Sequence, residues 1–142
     1  MKPNVLKTML GGAAGTAVMT MTMYFVAPKM LGQPMDVAAM LGSMMGNSWA
    51  LGMAAHWMNG VVVFPLVYAF LLYKMLPGSS IARGAIWGVM LWLIAQVMVM
   101  PMMGGGFFSS AAGGMMAVVA SLMGHILYGG ILGQIAGNSE TA

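Results

Sequence analysis

Two histidines, His56 and His125, are the side chains of this sequence best suited to chemistry. Each falls inside an apolar stretch long enough to cross a bilayer, where an ionisable ring needs partners inside the protein. Two imidazoles on different spans can act as axial ligands of haem b, or they can contact a quinone. They can also hydrogen-bond neighbouring helices together, as polar groups in lipid commonly do. Interhelical hydrogen bonding is the first interpretation, and a cofactor contact is the alternative.

Three further polar side chains, Asn59, Gln96 and Ser121, lie within the same apolar stretches. Counting the helical rise from the expected helix ends places His56 and Gln96 about 10 Å below the outer interface. The same count places Asn59 and His125 about 15 to 18 Å below it. We therefore expect one hydrogen-bonded cluster with its histidines at different levels, which favours hydrogen bonding between helices over bis-histidine ligation of haem.

Methionine is the second candidate for chemistry, because the sequence contains 21 of them. Thioethers bind Cu(I), and imidazole adds to such sites, but methionine is also a pliable filler of irregular packing. Since no compact metal-binding motif occurs, packing is the first interpretation and a copper site is the alternative. The residues that would form this copper site, all near the expected outer side, are Met98, Met100, Met102, Met103, Met115 and Met116.

Composition identifies the class of protein. With 61% hydrophobic and 5% charged residues, the 142-residue chain lacks the charged shell that a soluble domain needs. We predict an integral membrane protein in contact with the lipid bilayer, and its net charge of +3 does not indicate nucleic-acid binding. The absence of cysteine excludes thiol catalysis, and two carboxylates, Asp36 and Glu140, are too few for paired-carboxylate chemistry. We expect the protein not to be an enzyme.

Apolar stretches must supply the elements that position these residues. Four of them predict transmembrane helices in an all-α, up-down bundle, at about 9–27, 49–73, 85–103 and 113–137. The first stretch follows Lys2 and Lys7 but is too long for the core of a secretory signal, so we expect it to be retained. Between the first two spans, Asp36 can cap a short helix over 36–45, which we predict to lie along the membrane interface.

Small residues indicate how these helices pack. Glycines four residues apart let two helix backbones approach closely in lipid. Such glycines occur in the first span and in the last, so we predict contact between these two spans through Gly11, Gly15, Gly129, Gly133 and Gly137.

Basic residues indicate the orientation. One side of the predicted bundle carries four basic residues and one acidic residue: Lys2, Lys7, Lys74, Arg83 and Glu140. The opposite side carries only Lys29 and Asp36, in the first loop. Because positive residues remain cytoplasmic, both termini are predicted to be cytoplasmic.

The sequence resembles an uncharacterised family of small four-span bacterial inner-membrane proteins, a domain of unknown function, over about residues 9–137. This resemblance implies the four-span fold and a bacterial inner-membrane location, and it implies no activity and no site. It rests on Gly11-Gly12, His56, Leu76-Pro77-Gly78-Ser79, Arg83-Gly84, Pro101, His125-Ile126-Leu127-Tyr128-Gly129 and Leu132-Gly133.

These observations support two functions from different classes. The first is a non-catalytic accessory or assembly subunit without a cofactor, which self-associates or docks with partner subunits in an inner-membrane complex of respiratory or redox type. The second is a haem- or Cu(I)-binding membrane protein that uses His56 and His125, or the outer methionines. A transporter or channel is less favoured, because no charged lining and no inverted repeat is apparent.

Overall fold

Four helices in the computed structural model are long and apolar enough to cross a membrane, and the predicted all-α membrane fold is confirmed. The structure describes residues 3–137, and within that range it contains helices and turns but no strands. A single turn of 3-10 helix, Phe107–Ser109, precedes the last span. The helices are α1 (Val5–Leu31), α2 (Val37–Ser43), α3 (Trp49–Leu72), α4 (Ser80–Met102) and α5 (Gly114–Ala136).

Polar capping residues fix where four of these helices begin. Backbone N–H groups in the first turns of α1, α2, α3 and α4 donate to side-chain oxygens, which satisfies donors that a helix leaves unpaired. The helices α1 and α4 therefore begin several residues before the predicted positions 9 and 85, because their polar first turns are capped rather than unwound. The capping residues are Asn4, Asp36, Ser48 and Ser79.

Three prolines lie inside helices, and each comes after a π-helical turn, in which an N–H bonds the carbonyl five residues earlier. The wider turn lets the helix continue past a residue that lacks an N–H. The first helix accordingly runs through Pro28 to Leu31 and ends at Gly32, so its predicted end at position 27 is wrong. The turns are Thr22–Val26 before Pro28, Asn59–Val63 before Pro65, and Ala95–Val99 before Pro101.

Two of these prolines, Pro28 and Pro65, each leave one carbonyl that bonds a partner outside its own helix. In α1, the Ala27 N–H bonds the Thr22 carbonyl, and the next donor, for the Met23 carbonyl, would be Pro28. The Met35 N–H takes that carbonyl instead, at 3.1 Å, and holds the connecting segment against α1.

The same device operates in α3. The Phe64 N–H bonds the Asn59 carbonyl, and Pro65 has no N–H to offer the Gly60 carbonyl. The Tyr128 hydroxyl of α5 donates to the Gly60 carbonyl at 2.8 Å. A proline in one span thus leaves a backbone carbonyl that a side chain of another span can bond.

The last helix lies between α1 and α4 and runs antiparallel to both. Its backbone approaches both neighbours closely along much of its length, whereas α3 packs on α1 and α2. Within the described range, α3 and α4 approach each other only sparsely and meet mainly through the rings of Phe64 and Trp87. This sparse approach leaves space between them.

The glycines pack on two sides of α5 rather than on one. Gly11 and Gly15 of α1 face Leu132 and Tyr128 of α5, so these two spans do touch. A Cβ added at Gly129 would instead collide with the Gly84 carbonyl of α4.

Gly133 likewise faces α4, where an added Cβ would collide with the Ser80 carbonyl. The prediction that Gly129 and Gly133 face the first span is therefore wrong, because one helix carries small residues on two adjacent faces. Gly137 ends α5 with φ 73° and makes no close helix contact; its carbonyl accepts a bond from the Tyr73 hydroxyl at 3.0 Å.

Asp36 holds the segment between α1 and α3 in place. Its carboxylate accepts hydrogen bonds from the Tyr24 hydroxyl at 2.6 Å, the Ala39 N–H at 2.9 Å and the Trp49 indole N–H at 3.1 Å. One side chain therefore joins the end of α1, the start of α2 and the start of α3. That α2 lies along a membrane interface stays a prediction.

Replacing Asp36 by alanine should lower the free energy of unfolding by about 1 to 2 kcal/mol, the usual cost of losing a helix N-cap. Partial burial would raise the pKa of the Asp36 carboxyl, but the bonds from Tyr24, Ala39 and Trp49 lower it by more, so it lies below its ordinary value. The stability it contributes is therefore complete above that ordinary value and is lost as pH falls through the folded pKa. Thermal unfolding in detergent should show the wild-type protein to be more stable than Asp36→Ala at neutral pH. This difference in stability should become smaller only below about pH 4.

Candidate functional site

A cavity of about 310 Å³ lies among the helices, bordered by α1, α3, α4 and α5, with α2 at one end. Most of its wall is apolar, and no lysine, arginine, aspartate or glutamate among residues 3–137 lines it. Both histidines and all three further polar residues singled out from the sequence border this one space. Its polar wall residues are Thr16, His56, Asn59, Gln96, Ser121 and His125.

His56 is oriented by threonines of α1. Its Nε2 lies 2.9 Å from the Thr20 hydroxyl oxygen, and that hydroxyl donates its only proton to the Thr16 carbonyl at 2.7 Å. With that proton on the Thr16 carbonyl, the hydroxyl oxygen accepts from the ring, and the imidazole proton is assigned to Nε2. A neutral His56 then has an unprotonated Nδ1, and His56 does join two helices, as expected of a polar group in lipid.

His125 is oriented within its own helix. Its Nδ1 lies 2.8 Å from the Ser121 carbonyl one turn earlier, and a carbonyl can only accept. The proton of the neutral ring is therefore on Nδ1, and Nε2 is left as an acceptor. Of the partners expected for His125, the structure shows Ser121, on the same helix, and among the described residues no hydrogen bond joins His125 to a neighbouring helix.

The two imidazoles lie at nearly the same level of the bundle. Consecutive residues of α1 define that level: Met19 contacts α5 at Gly124, and Thr20 bonds His56. The histidines are therefore within about one helical turn, 5.4 Å, of each other along the axis. The predicted difference in depth, about 5 to 8 Å by the helical rise, overlaps this range and stays a prediction.

Gln96 bonds the loop before α5 rather than a histidine. Its side-chain oxygen accepts from the Ser109 hydroxyl at 2.9 Å, and both residues are fully buried. This bond holds the turn Phe107–Ser109 against α4. The predicted cluster is therefore formed only in part among the described residues. Ser121 and His125 contact each other, whereas His56 and Gln96 bond Thr20 and Ser109.

The methionines predicted as a copper site do not converge. Met98, Met102, Met115 and Met116 are exposed on the outside of the helices. Only two of the six, Met100 and Met103, border the cavity, so the predicted set is not assembled. Within residues 3–137, no group of three or more histidine, cysteine or acidic side chains is placed to hold a metal ion. The cavity is lined by a different set: Met19, Met23, Met35, Met40, Met100 and Met103.

Aromatic side chains form part of the cavity wall, and sequence reasoning did not identify them. The Phe64 ring meets the Trp87 ring edge to face at 6.3 Å between centroids, and the Tyr128 ring at 6.4 Å. Thr20 was also missed as the partner of His56. Its signal was the spacing of Thr16 and Thr20 on one face of the first span.

The chain was compared with protein families, curated proteins and solved structures. The model of DUF6789, a family of unknown function, matches residues 3–142. The chain belongs to this family. No curated protein and no solved structure matches it. Membership of a family of unknown function is thereby confirmed, and the bacterial inner-membrane location stays a prediction. Because the function of this family is unknown, function must be inferred from the cavity.

Proposed function

We propose that this multi-pass protein is non-catalytic and binds a small, lipid-soluble organic molecule in the cavity between α3 and α4. His56 and His125 are its polar contacts. The observation that carries the proposal is that both rings, each hydrogen-bonded on one nitrogen, border one apolar cavity within about one helical turn of each other. Pockets that hold small molecules are mostly apolar, with a few oriented polar groups.

The size of the cavity favours an organic molecule over a metal ion. A bound ion draws its ligands around it and needs space comparable to a water molecule, whose share of liquid volume is about 30 Å³. The cavity is about 310 Å³, or roughly twice the 150 Å³ engineered apolar cavity known to bind benzene. A copper site would need the thioethers and imidazoles to close this space.

The chemistry of the wall also favours an uncharged molecule over haem. Haem carries two carboxylates, and no lysine or arginine lines the cavity to pair with them. The Thr20 hydroxyl occupies Nε2 of His56, so only Nδ1, which lies next to the ring's attachment to the backbone, would face an iron. A porphyrin bound at Nδ1 of His56 would therefore collide with α3, the helix that carries this histidine.

Filling the cavity should abolish binding. Ala95 borders the cavity, and Ala95→Phe places a ring in it, so a small molecule that copurifies with the wild-type protein in mild detergent should be lost. Val97→Phe is the matched control, because Val97 is exposed on the same helix and does not line the cavity. Mass spectrometry of an organic extract, with an absorbance spectrum, measures the ligand content of both variants. Equal ligand content in the Ala95→Phe protein would contradict the proposal.

We also propose that the protein is an accessory or assembly subunit of a bacterial inner-membrane complex. Exposed apolar side chains occur along all four spans, such as Leu10, Phe70, Leu93 and Leu127. They suit contact with lipid or with partner spans. Partner subunits would appear in stoichiometric amount in the same detergent preparation.

Both termini are proposed to be cytoplasmic, supported by Lys7, Lys74 and Arg83 at one end of the bundle; Lys2 and Glu140 lie outside the described residues. Ser110, in the loop before α5, is exposed, so Ser110→Cys should react with an impermeant thiol reagent applied from outside. Met75→Cys, in the exposed turn after α3, should react only after the membrane is opened. Ser109 is unsuitable because it is buried against Gln96. The reverse labelling pattern would overturn the orientation.

A further inference from the structure

The two histidines present the same hydrogen-bonding polarity to the cavity. The bonds to Thr20 and to the Ser121 carbonyl consume the N–H of each neutral ring. Nδ1 of His56 and Nε2 of His125 remain, and both are acceptors. Within residues 3–137, the only fully buried side-chain polar atoms without a partner are the Tyr68 hydroxyl and the Trp87 indole nitrogen. The two acceptor nitrogens are therefore not sealed inside the protein.

The wall around these acceptors suits a flat ring. Phe64, Trp87 and Tyr128 meet edge to face, a geometry in which aromatic rings attract each other. All three border the cavity, and a further ring can add to the set. At about 310 Å³, the space accommodates one substituted ring rather than a large polycyclic molecule.

Access to the cavity is from the bilayer. Because α3 and α4 approach each other only sparsely, the space between them borders the region that lipid occupies around the bundle. The wall is uncharged, so an ionised ligand would lose its hydration without an opposite charge to replace it. A neutral, lipid-soluble molecule can enter from the bilayer without this cost of lost hydration.

We infer that the cavity binds a neutral, lipid-soluble aromatic ring bearing hydroxyl groups, of the hydroquinone or phenol type, whose O–H groups donate to His56 Nδ1 and His125 Nε2. This inference rests on the proposed function and specifies its ligand class. The corresponding quinone carries only acceptors, so its carbonyl oxygens would face two acceptor nitrogens. Apart from the histidines, the cavity residues with an N–H to offer it are Asn59 and Gln96, through their amides, and Trp87, whose indole N–H has no partner among the described residues. At the two histidine nitrogens, however, only a hydroxyl donor is matched. The site therefore distinguishes the reduced ring from the oxidised one.

Binding of three probes to the wild-type protein tests the ligand class directly. Trimethylhydroquinone, its dimethyl ether and trimethylbenzoquinone have the same ring, but only the first donates hydrogen bonds. Equilibrium dialysis against the protein in lipid nanodiscs, anaerobic and with reductant for the hydroquinone, should show the hydroquinone bound about tenfold more tightly than the other two. Equal binding of all three, or no binding of the hydroquinone, overturns the inference.

Variants of His56 and His125 test whether the two imidazoles cause the preference for the hydroquinone. His56→Leu and His125→Leu each remove one acceptor, so each should weaken hydroquinone binding several-fold and leave binding of the dimethyl ether unchanged. The ether thus serves as the control for a folded cavity in each variant. A variant that weakens binding of both probes equally counts against a hydrogen bond from the hydroquinone to that histidine.

The proposed function and this inference fail separately. If all three probes bind alike and Ala95→Phe abolishes them all, the cavity is a binding site but its ligand is not selected by hydroxyl groups. If the hydroquinone still binds to Ala95→Phe with unchanged affinity, the cavity is not the binding site, and both are wrong.

Discussion

Gly129→Ala is expected to destabilise the protein, although alanine is the better helix former. A Cβ at Gly129 would collide with the Gly84 carbonyl and lie 2.8 Å from the Gly88 N–H, both backbone atoms of α4 that cannot move alone. Forcing two packed helices apart by one methyl group costs about 1 to 3 kcal/mol. The free energy of unfolding, measured by denaturant titration in mixed micelles, should fall by that amount.

The neighbouring glycine supplies the control. A Cβ at Gly130 would have no atom within 4 Å, so Gly130→Ala should raise stability by up to about 1 kcal/mol through helix propensity alone. Two adjacent, chemically identical substitutions are thus expected to act in opposite directions. If both change stability in the same direction, the close contact between α4 and α5 at Gly84 is wrong.

Tyr128→Phe is expected to lower the free energy of unfolding by about 1 to 3 kcal/mol, because it leaves the buried Gly60 carbonyl without its donor. The comparison is Tyr68→Phe, since the Tyr68 hydroxyl is buried with no partner among the described residues. Removing that hydroxyl should be neutral or stabilising. Thermal unfolding of both variants in the same detergent separates the effect of the bond from that of the lost oxygen.

A second substitution tests the cause of this difference. Pro65→Ala restores an N–H that can reach the Gly60 carbonyl within α3, which would make the Tyr128 hydroxyl dispensable. In that background, Tyr128→Phe should cost clearly less than in the wild-type protein. An unchanged cost in the double variant would show that Pro65 does not create the acceptor.

Much of this architecture could be predicted from hydrophobicity, because four uninterrupted apolar stretches leave the backbone no alternative to helices in lipid. The shared position of His56, Asn59 and Gly60 could also be predicted, since residues three and four apart share a helix face. Their common cavity results from that face pointing inward.

Details that depend on helix register could not be predicted. A π-helical turn inserts an extra residue into the helical repeat, so the turns at Asn59–Val63 and Ala95–Val99 rotate the remainder of each helix relative to an ideal one. The choice of α4 rather than α1 as the partner of Gly129 depends on how α5 is rotated about its own axis, which small residues on two of its faces do not specify. The proton positions on His56 and His125 depend on a threonine hydroxyl and a backbone carbonyl, which sequence spacing does not single out.

The prolines inside α1 and α3 also determine when each span is complete during biosynthesis. A carbonyl without a donor in hydrocarbon costs several kcal/mol. The donor for Met23 comes from Met35, a short way along the chain, so α1 is satisfied soon after it leaves the ribosome. The donor for Gly60 comes from Tyr128, 68 residues later. The second span therefore keeps an unpaired carbonyl in the bilayer until the final span has been translated and inserted. The last helix to be made then supplies the missing hydrogen-bond donor of α3.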